Sequence, residues 1–139
     1  MARTTFSGPV VSQNGFIQGH QPTAFNAINV TGDATAAQVA DGYITSTSAA
    51  PVTITLPTGT ALGAAIGASR GTVLDLFIDN TAGASTVTVA VNTNAVLSSA
   101  AVDTAGSFGD LTIAAGATGI ARFTLMFSSA TAYTFTRTA

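Results

Sequence analysis

The sequence predicts an all-β chain: a β-sandwich or jelly-roll-like body of about seven or eight short strands, with one short helix and an extended N-terminal arm. Three observations predict it. Threonine and valine are abundant among the 139 residues, while helix formers other than alanine are scarce; branched β-carbons favour a pleated sheet over a helix. From residue 41 onward apolar and polar residues alternate in short runs, the period of a strand with one buried face. Clusters of Gly, Pro, Asn and Ser punctuate those runs at close spacing, as turns do.

The first element is the arm, residues 1–40, with the body following over residues 41–139. The arm shows no sustained period and contains Pro9 and Pro22, yet it carries Phe6, Val10, Val11, Phe16, Ile17, Phe25 and Ile28. Apolar anchors scattered along an aperiodic segment cannot be buried in one local element, so the arm is expected to lie on a partner surface. Fully extended it would reach about 130 Å, at ~3.3 Å per residue. Phe6, Pro9, Val10, Val11, Phe16, Ile17 and Phe25 are the expected contact residues.

In the body, Tyr43–Thr47 reads as a short strand. Val52, Ile54 and Leu56 then face one way and Thr53 and Thr55 the other, with Pro51 and Pro57 fencing the strand. The single helix is expected over Thr60–Ser69, with Leu62 and Ile66 four apart, Thr60 as N-cap and Gly71 as terminator; Ala34–Ala40 behind Asp33 is a weaker second candidate. Thr72–Asp79 puts Leu74, Leu76 and Ile78 on one face and Val73, Asp75, Phe77 and Asp79 on the other. After a turn at Asn80–Ser85, Thr86–Val91 points Val87, Val89 and Val91 inward; a tight turn leads to Ala95–Leu97. Leu111–Ile113, Ile120–Phe127 (Phe123, Leu125 and Phe127 on one face) and Ala132–Arg137 (Tyr133 and Phe135 on one face) complete the set. Ile54, Leu76, Ile78, Val89 and Phe123 are the expected core, and no solenoid or shaft repeat is visible.

Composition excludes many chemistries. Cysteine is absent, which removes disulfides, thiol nucleophiles and thiolate metal sites. The one histidine, His20, cannot build a multi-histidine zinc site. Without lysine there is no Schiff base. A net charge of −2 with four arginines speaks against nucleic acid, which demands several phosphate contacts. The uncharged run Gly42–Ser69 is broken by Pro51 and Pro57, so no membrane span is expected; the start lacks the apolar stretch of a secretory signal. The expectation is a protein with no metal, no cofactor and no enzymatic activity.

The remaining polar residues read mostly as structural. Asp75 and Asp79 lie on one strand face but about 13 Å apart at ~3.3 Å rise, too far for shared ligation by that strand alone. His20 has no orienting carboxylate or nucleophile near it in the sequence, and Ser98–Ser99 lack the G-x-S-x-G elbow. The glycines of Ala61–Gly71 suit close packing or capping rather than phosphate binding. Arg122, set among apolar neighbours, is expected to pair with an Asp of another strand, or else of another subunit.

Two stretches resemble a known family. TTFSGPVVSQNGF (residues 4–16) resembles the opening of structural proteins in the heads of tailed bacteriophages, especially those of cyanobacteria and other aquatic bacteria. The stretch from Tyr43 to Val89, YITSTSAAPVTITLPTGTALGAAIGASRGTVLDLFIDNTAGASTVTV, and the later LTIAAGATGIARFTL are similar to the body of small head-decoration, or cement, proteins. The resemblance implies a homotrimer on the outer surface of an icosahedral capsid, assembled in the host cytoplasm and bridging neighbouring capsomers through the major capsid protein. It supplies no catalytic residues. The alternatives are another virion appendage (a head fibre, knob or tail adaptor) and a carbohydrate-binding jelly-roll module.

Overall fold

The structure, a computed structural model, describes residues 26–97 and 111–139. In chain order the elements are β1 (Asn26–Ala27), β2 (Gly32–Asp33), α1 (Ala36–Ala40), β3 (Tyr43–Thr45), β4 (Val52–Thr55) and α2 (Gly59–Ile66). Then follow β5 (Val73–Asp79), β6 (Val87–Ala90), β7 (Ala95–Leu97), β8 (Thr112–Ile113), β9 (Ile120–Ser129) and β10 (Ala132–Arg137). The fold is mainly β, and eight of these strands fall on the runs that alternation picks out. They form a six-stranded sheet, β1-β3-β5-β9-β10-β7, and a four-stranded sheet, β2-β4-β6-β8.

The connectivity differs from a jelly roll. Jelly rolls are antiparallel, whereas five of the eight strand pairings among the described residues are parallel. Successive strands from β1 to β6 alternate between the two sheets, so each returns parallel to the strand two before it. The chain therefore winds: β1–β2–α1, then β3–β4–α2, then β5–β6. The joints repeat too. Ile28 N donates to Thr45 O as Ser46 N donates to Asp79 O, and Ala34 N donates to Thr55 O as Leu56 N donates to Ala90 O, at 2.8–3.0 Å. This is a structural repeat where the sequence suggested none. Asn26 pairs with Ile44 but Tyr43 with Phe77, offsets too unequal to leave a sequence period.

Residues 26–40, expected in the arm, thus belong to the body. β1 and β2 pair with β3 and β4, and Ala34 and Val39 are buried in the common core. α1 is fixed by a capping box: Thr35 Oγ1 accepts from Gln38 N (3.2 Å) and Gln38 Oε1 from Thr35 N (2.8 Å). α2 starts one turn-step earlier than expected. Thr58, not Thr60, caps it, accepting from Ala61 N at 3.2 Å, and Gly67, not Gly71, ends it in the left-handed region. Two glycines let α2 sit directly on the β9–β10 turn. A Cβ on Gly63 would collide with the Ala130 carbonyl, and one on Gly59 with the carbonyls of Thr131 and Asn94.

One core fills the space between the sheets, and the expected residues Ile54, Leu76, Ile78, Val89 and Phe123 are all within it. Phe123 meets Phe135 edge-on at 6.3 Å, and Phe127 lies 5.2 Å from Tyr133. Val91 departs from expectation: β6 ends at Ala90, and Val91 emerges half-exposed.

Leu76→Ala, which empties a fully buried site, is expected to cost about 2–5 kcal/mol in denaturant unfolding. Gly63→Ala should also destabilise, although alanine is the better helix former by about 1 kcal/mol, because the added methyl meets backbone rather than a side chain that can move.

Candidate functional site

The two sheets turn very different outer faces to solvent. On the four-stranded sheet the outward positions are Asp33, Thr53 and Thr55, Thr88 and Ala90, and Thr112, with Thr53, Thr88 and Thr112 aligned in one row. Hydroxyls and methyls of this size are solvated without cost.

The six-stranded sheet is different. Val73, Asp75, Phe77 and Asp79 of β5 face outward, beside Ile120, Arg122, Thr124 and Met126 of β9. Register sets Val73 against Met126, Asp75 against Thr124, Phe77 against Arg122 and Asp79 against Ile120. Thr134 of β10 extends the first row to Val96 of β7, and Tyr43 of β3 lies beside Phe77. Val73 and Met126 are 56% and 53% exposed, an adjacent apolar pair with nothing over it among the described residues. Val96 and Ile120 are also half-exposed.

Polar groups are threaded between these. Arg122 Nη2 donates to Asp75 Oδ2 at 3.0 Å, and Thr124 Oγ1 to Asp75 Oδ1 at 2.7 Å. So Arg122 pairs within the chain, across the β5–β9 ladder. Both partners are well exposed, and such a pair contributes little to stability. The guanidinium also sits 6.0 Å from the Phe77 ring centre. Asp79 is held separately: Thr81 donates through Oγ1 (2.6 Å) and N (2.9 Å), and Tyr43 Oη donates at 2.6 Å. The two aspartates are on one face, as alternation indicates, but they share no partner.

The Thr81 hydroxyl, then Tyr43 and the Thr81 amide, hold the Asp79 carboxyl below the ordinary range. The same bond to Asp79, with partial burial and the nearby charge, raises the Tyr43 phenol above its ordinary value. Burial pushes Tyr133 up further; its Oη donates to Pro57 O at 2.7 Å inside the core.

The expected contact residues Phe6, Pro9, Val10, Val11, Phe16, Ile17 and Phe25 lie outside the described residues, as do His20, Ser98 and Ser99. Sequence reading did not single out Met126, Val96, Ile120 or Tyr43. Strand parity would have found them: once Phe123, Leu125 and Phe127 point inward, Met126 must point out. Groups of three or more potential metal ligands are absent among the described residues, and no helix there is long and apolar enough to cross a membrane. No family model, curated protein or solved structure matches the chain.

The tyrosines offer a direct check, because the chain has two tyrosines and no tryptophan. In an absorbance titration of the folded protein both phenols should ionise above pH ~10, and Asp79→Asn should bring the Tyr43 step back toward it. The signs for stability follow. The Asp79 contribution is complete above its unfolded pKa near ~3.9 and is lost as pH falls through the lowered folded value. The Tyr43 contribution is complete below ~10 and is lost as pH rises through the raised one. A single step centred at the ordinary value would show that the Tyr43–Asp79 bond does not form.

Proposed function

We propose that the protein is a non-enzymatic structural component of a virion, decorating and cementing the outer surface of an icosahedral phage capsid as a homotrimer that bridges neighbouring capsomers. The observation that carries the reading is the outward face of the six-stranded sheet. It spans six strands and carries the exposed apolar residues Val73, Met126, Val96 and Ile120, as suits a protein that works by covering and being covered. The resemblance of residues 4–16 and of the body to head-decoration proteins points the same way. In this reading the major capsid protein is the partner, and Phe6, Pro9, Val10, Val11, Phe16, Ile17 and Phe25 of the arm make the attachment. Each large apolar side chain buried there gains ~1.5–3 kcal/mol, enough for several to offset the ordering of the arm. Three arms on one trimer add avidity on a symmetric shell.

The carbohydrate-binding alternative is less well served. Phe77 and Tyr43 are neighbours, but Arg122 lies over the Phe77 ring and the Tyr43 hydroxyl is committed to Asp79.

The test is cryo-electron microscopy of the phage particle, with and without the protein. Three-fold density on the outside of the shell is expected; density confined to the tail, or none on the particle, would overturn the reading. Deleting residues 2–25, upstream of β1, is expected to leave a folded body that no longer attaches. Unchanged saturation of the shell by the truncated chain would move the attachment to the body.

A further inference from the structure

We infer that the open edge formed by β1 and β2 takes up an extended strand of the shell protein, so that the body joins the capsid by strand addition as well as through its arm. The inference rests on the capsid attachment proposed above and names where on the body the shell protein is met.

The four sheet edges are not alike. Along a parallel strand, successive residues turn their N–H and C=O alternately toward the neighbouring strand and away from it. Ile28 N donates to Thr45 O and Ala34 N to Thr55 O, while Ala27 lies opposite Thr45 and Asp33 opposite Thr55. The backbone N–H and C=O of Ala27 and of Asp33 therefore point away from β3 and β4, and no group among the described residues meets them. At the other two edges the chain closes its own positions. Ala95 of β7 exchanges both its bonds with Asn92, at 3.0 and 3.2 Å. The Thr112 carbonyl of β8 accepts from Arg137 Nη1 at 3.1 Å. An edge left open is a template for a further strand.

The winding sets the two open edges side by side. β1 and β2 are the consecutive strands of the first coil, one in each sheet. Val30 lies in the joint between them and is 77% exposed, the most of any large apolar residue described. A chain laid along this edge would meet the free backbone groups and cover that side chain together.

The point where the arm leaves indicates what lies there. Phe25, the last of the expected contact residues, is joined directly to Asn26, the first residue of β1. A shell surface that receives Phe25 is thus brought up against the open edge. Strand addition takes main-chain groups from an extended partner segment and pockets from alternate side chains. Two residues set the chemistry of that segment: an apolar side chain belongs against Val30, and a neutral or basic one beside Asp33, where an acid would oppose a like charge. The open stretch is short, so each contact is weak alone; three copies on one trimer multiply it through avidity.

The test adds the full chain back to phage particles that lack it and measures bound copies against concentration. Ala27→Pro with Asp33→Pro removes both free N–H groups at edge positions, where proline is tolerated because the N–H serves no ladder bond. This variant should bind about tenfold more weakly than wild type, or worse. Val30→Asp leaves the backbone alone, provides a second route should the proline variant not fold, and should also weaken binding. Val91→Asp, at a half-exposed valine beyond the opposite end of the four-stranded sheet, should bind as wild type does. Circular dichroism and a cooperative melt establish that each variant is folded. Amide hydrogen exchange of the bound wild type should show new protection over residues 27–33. Wild-type binding by both Ala27→Pro/Asp33→Pro and Val30→Asp, or no new protection over residues 27–33, would overturn the strand addition while leaving the decoration. A lower oligomer mass of the proline variant in light scattering would show that another copy occupies the edge, and would overturn it too. A wild type that leaves the shell bare would overturn the decoration itself and this inference with it.

Discussion

The seven-residue antiparallel ladder between β5 and β9 is the constraint on which the rest of the molecule depends. On one side of it the chain winds between two sheets in parallel returns; on the other lie the β9–β10 hairpin and β7. The strands before it are short, two residues each in β1 and β2, and such pieces have no stability of their own. They hold because a neighbouring coil completes their hydrogen bonds and a shared core receives their apolar side chains. The ladder fixes both. Its inward set, Leu76, Ile78, Phe123 and Leu125, forms the middle of the core. Its outward set, Val73, Phe77, Ile120 and Met126, forms the exposed apolar part of the six-stranded sheet. A slip of one residue would exchange the two sets, so the register that buries Leu76 also displays Met126.

The end of that ladder is secured by one buried polar side chain. Asn80, immediately after β5, is fully buried and donates from Nδ2 to the carbonyls of Ser85 (2.9 Å), Ile113 (3.2 Å) and Ala114 (3.0 Å). Its backbone N donates to Gly119 O at 2.6 Å. One residue thus ties the β5–β6 turn to β8 in the other sheet and to the turn entering β9. Gly83 has no side chain because Asn80 Oδ1 occupies the space a Cβ would need, and at Gly119 the carbonyls of Ala114 and Asn80 occupy it. The joint rests on that amide nitrogen, since Asn80 Oδ1 is buried with no partner among the described residues; alanine at position 80 would strand the carbonyls that the amide now meets.

Strand positions were legible in the sequence because alternation is a local signal. Val52, Ile54 and Leu56 declare a buried face without reference to any partner, and so do Phe123, Leu125 and Phe127. Pairing is not local. Alternation says which way a side chain points, not which strand lies alongside, so the parallel winding was invisible and an antiparallel sandwich was the natural expectation. β1 and β2 are too short for any period and were absorbed into the arm. The capping box of α1 was readable in Thr35 and Gln38, three apart, but only five helical residues follow. For the site, Asp75 and Asp79 drew attention as charges, although their roles are to anchor Arg122, Thr124, Tyr43 and Thr81 around the face. The informative residues were apolar ones in outward parity, where their chemistry is ordinary and only their position is unusual.

Position also explains the economy of charge. Each long charged side chain ordered at an interface costs rotamer entropy, and each one buried there demands a partner. A face made of Val, Thr, Met and Phe, with one Arg–Asp pair across the β5–β9 ladder, keeps both costs low. The outward face of the four-stranded sheet differs: its threonines, aligned across β4, β6 and β8, carry hydroxyls that water satisfies.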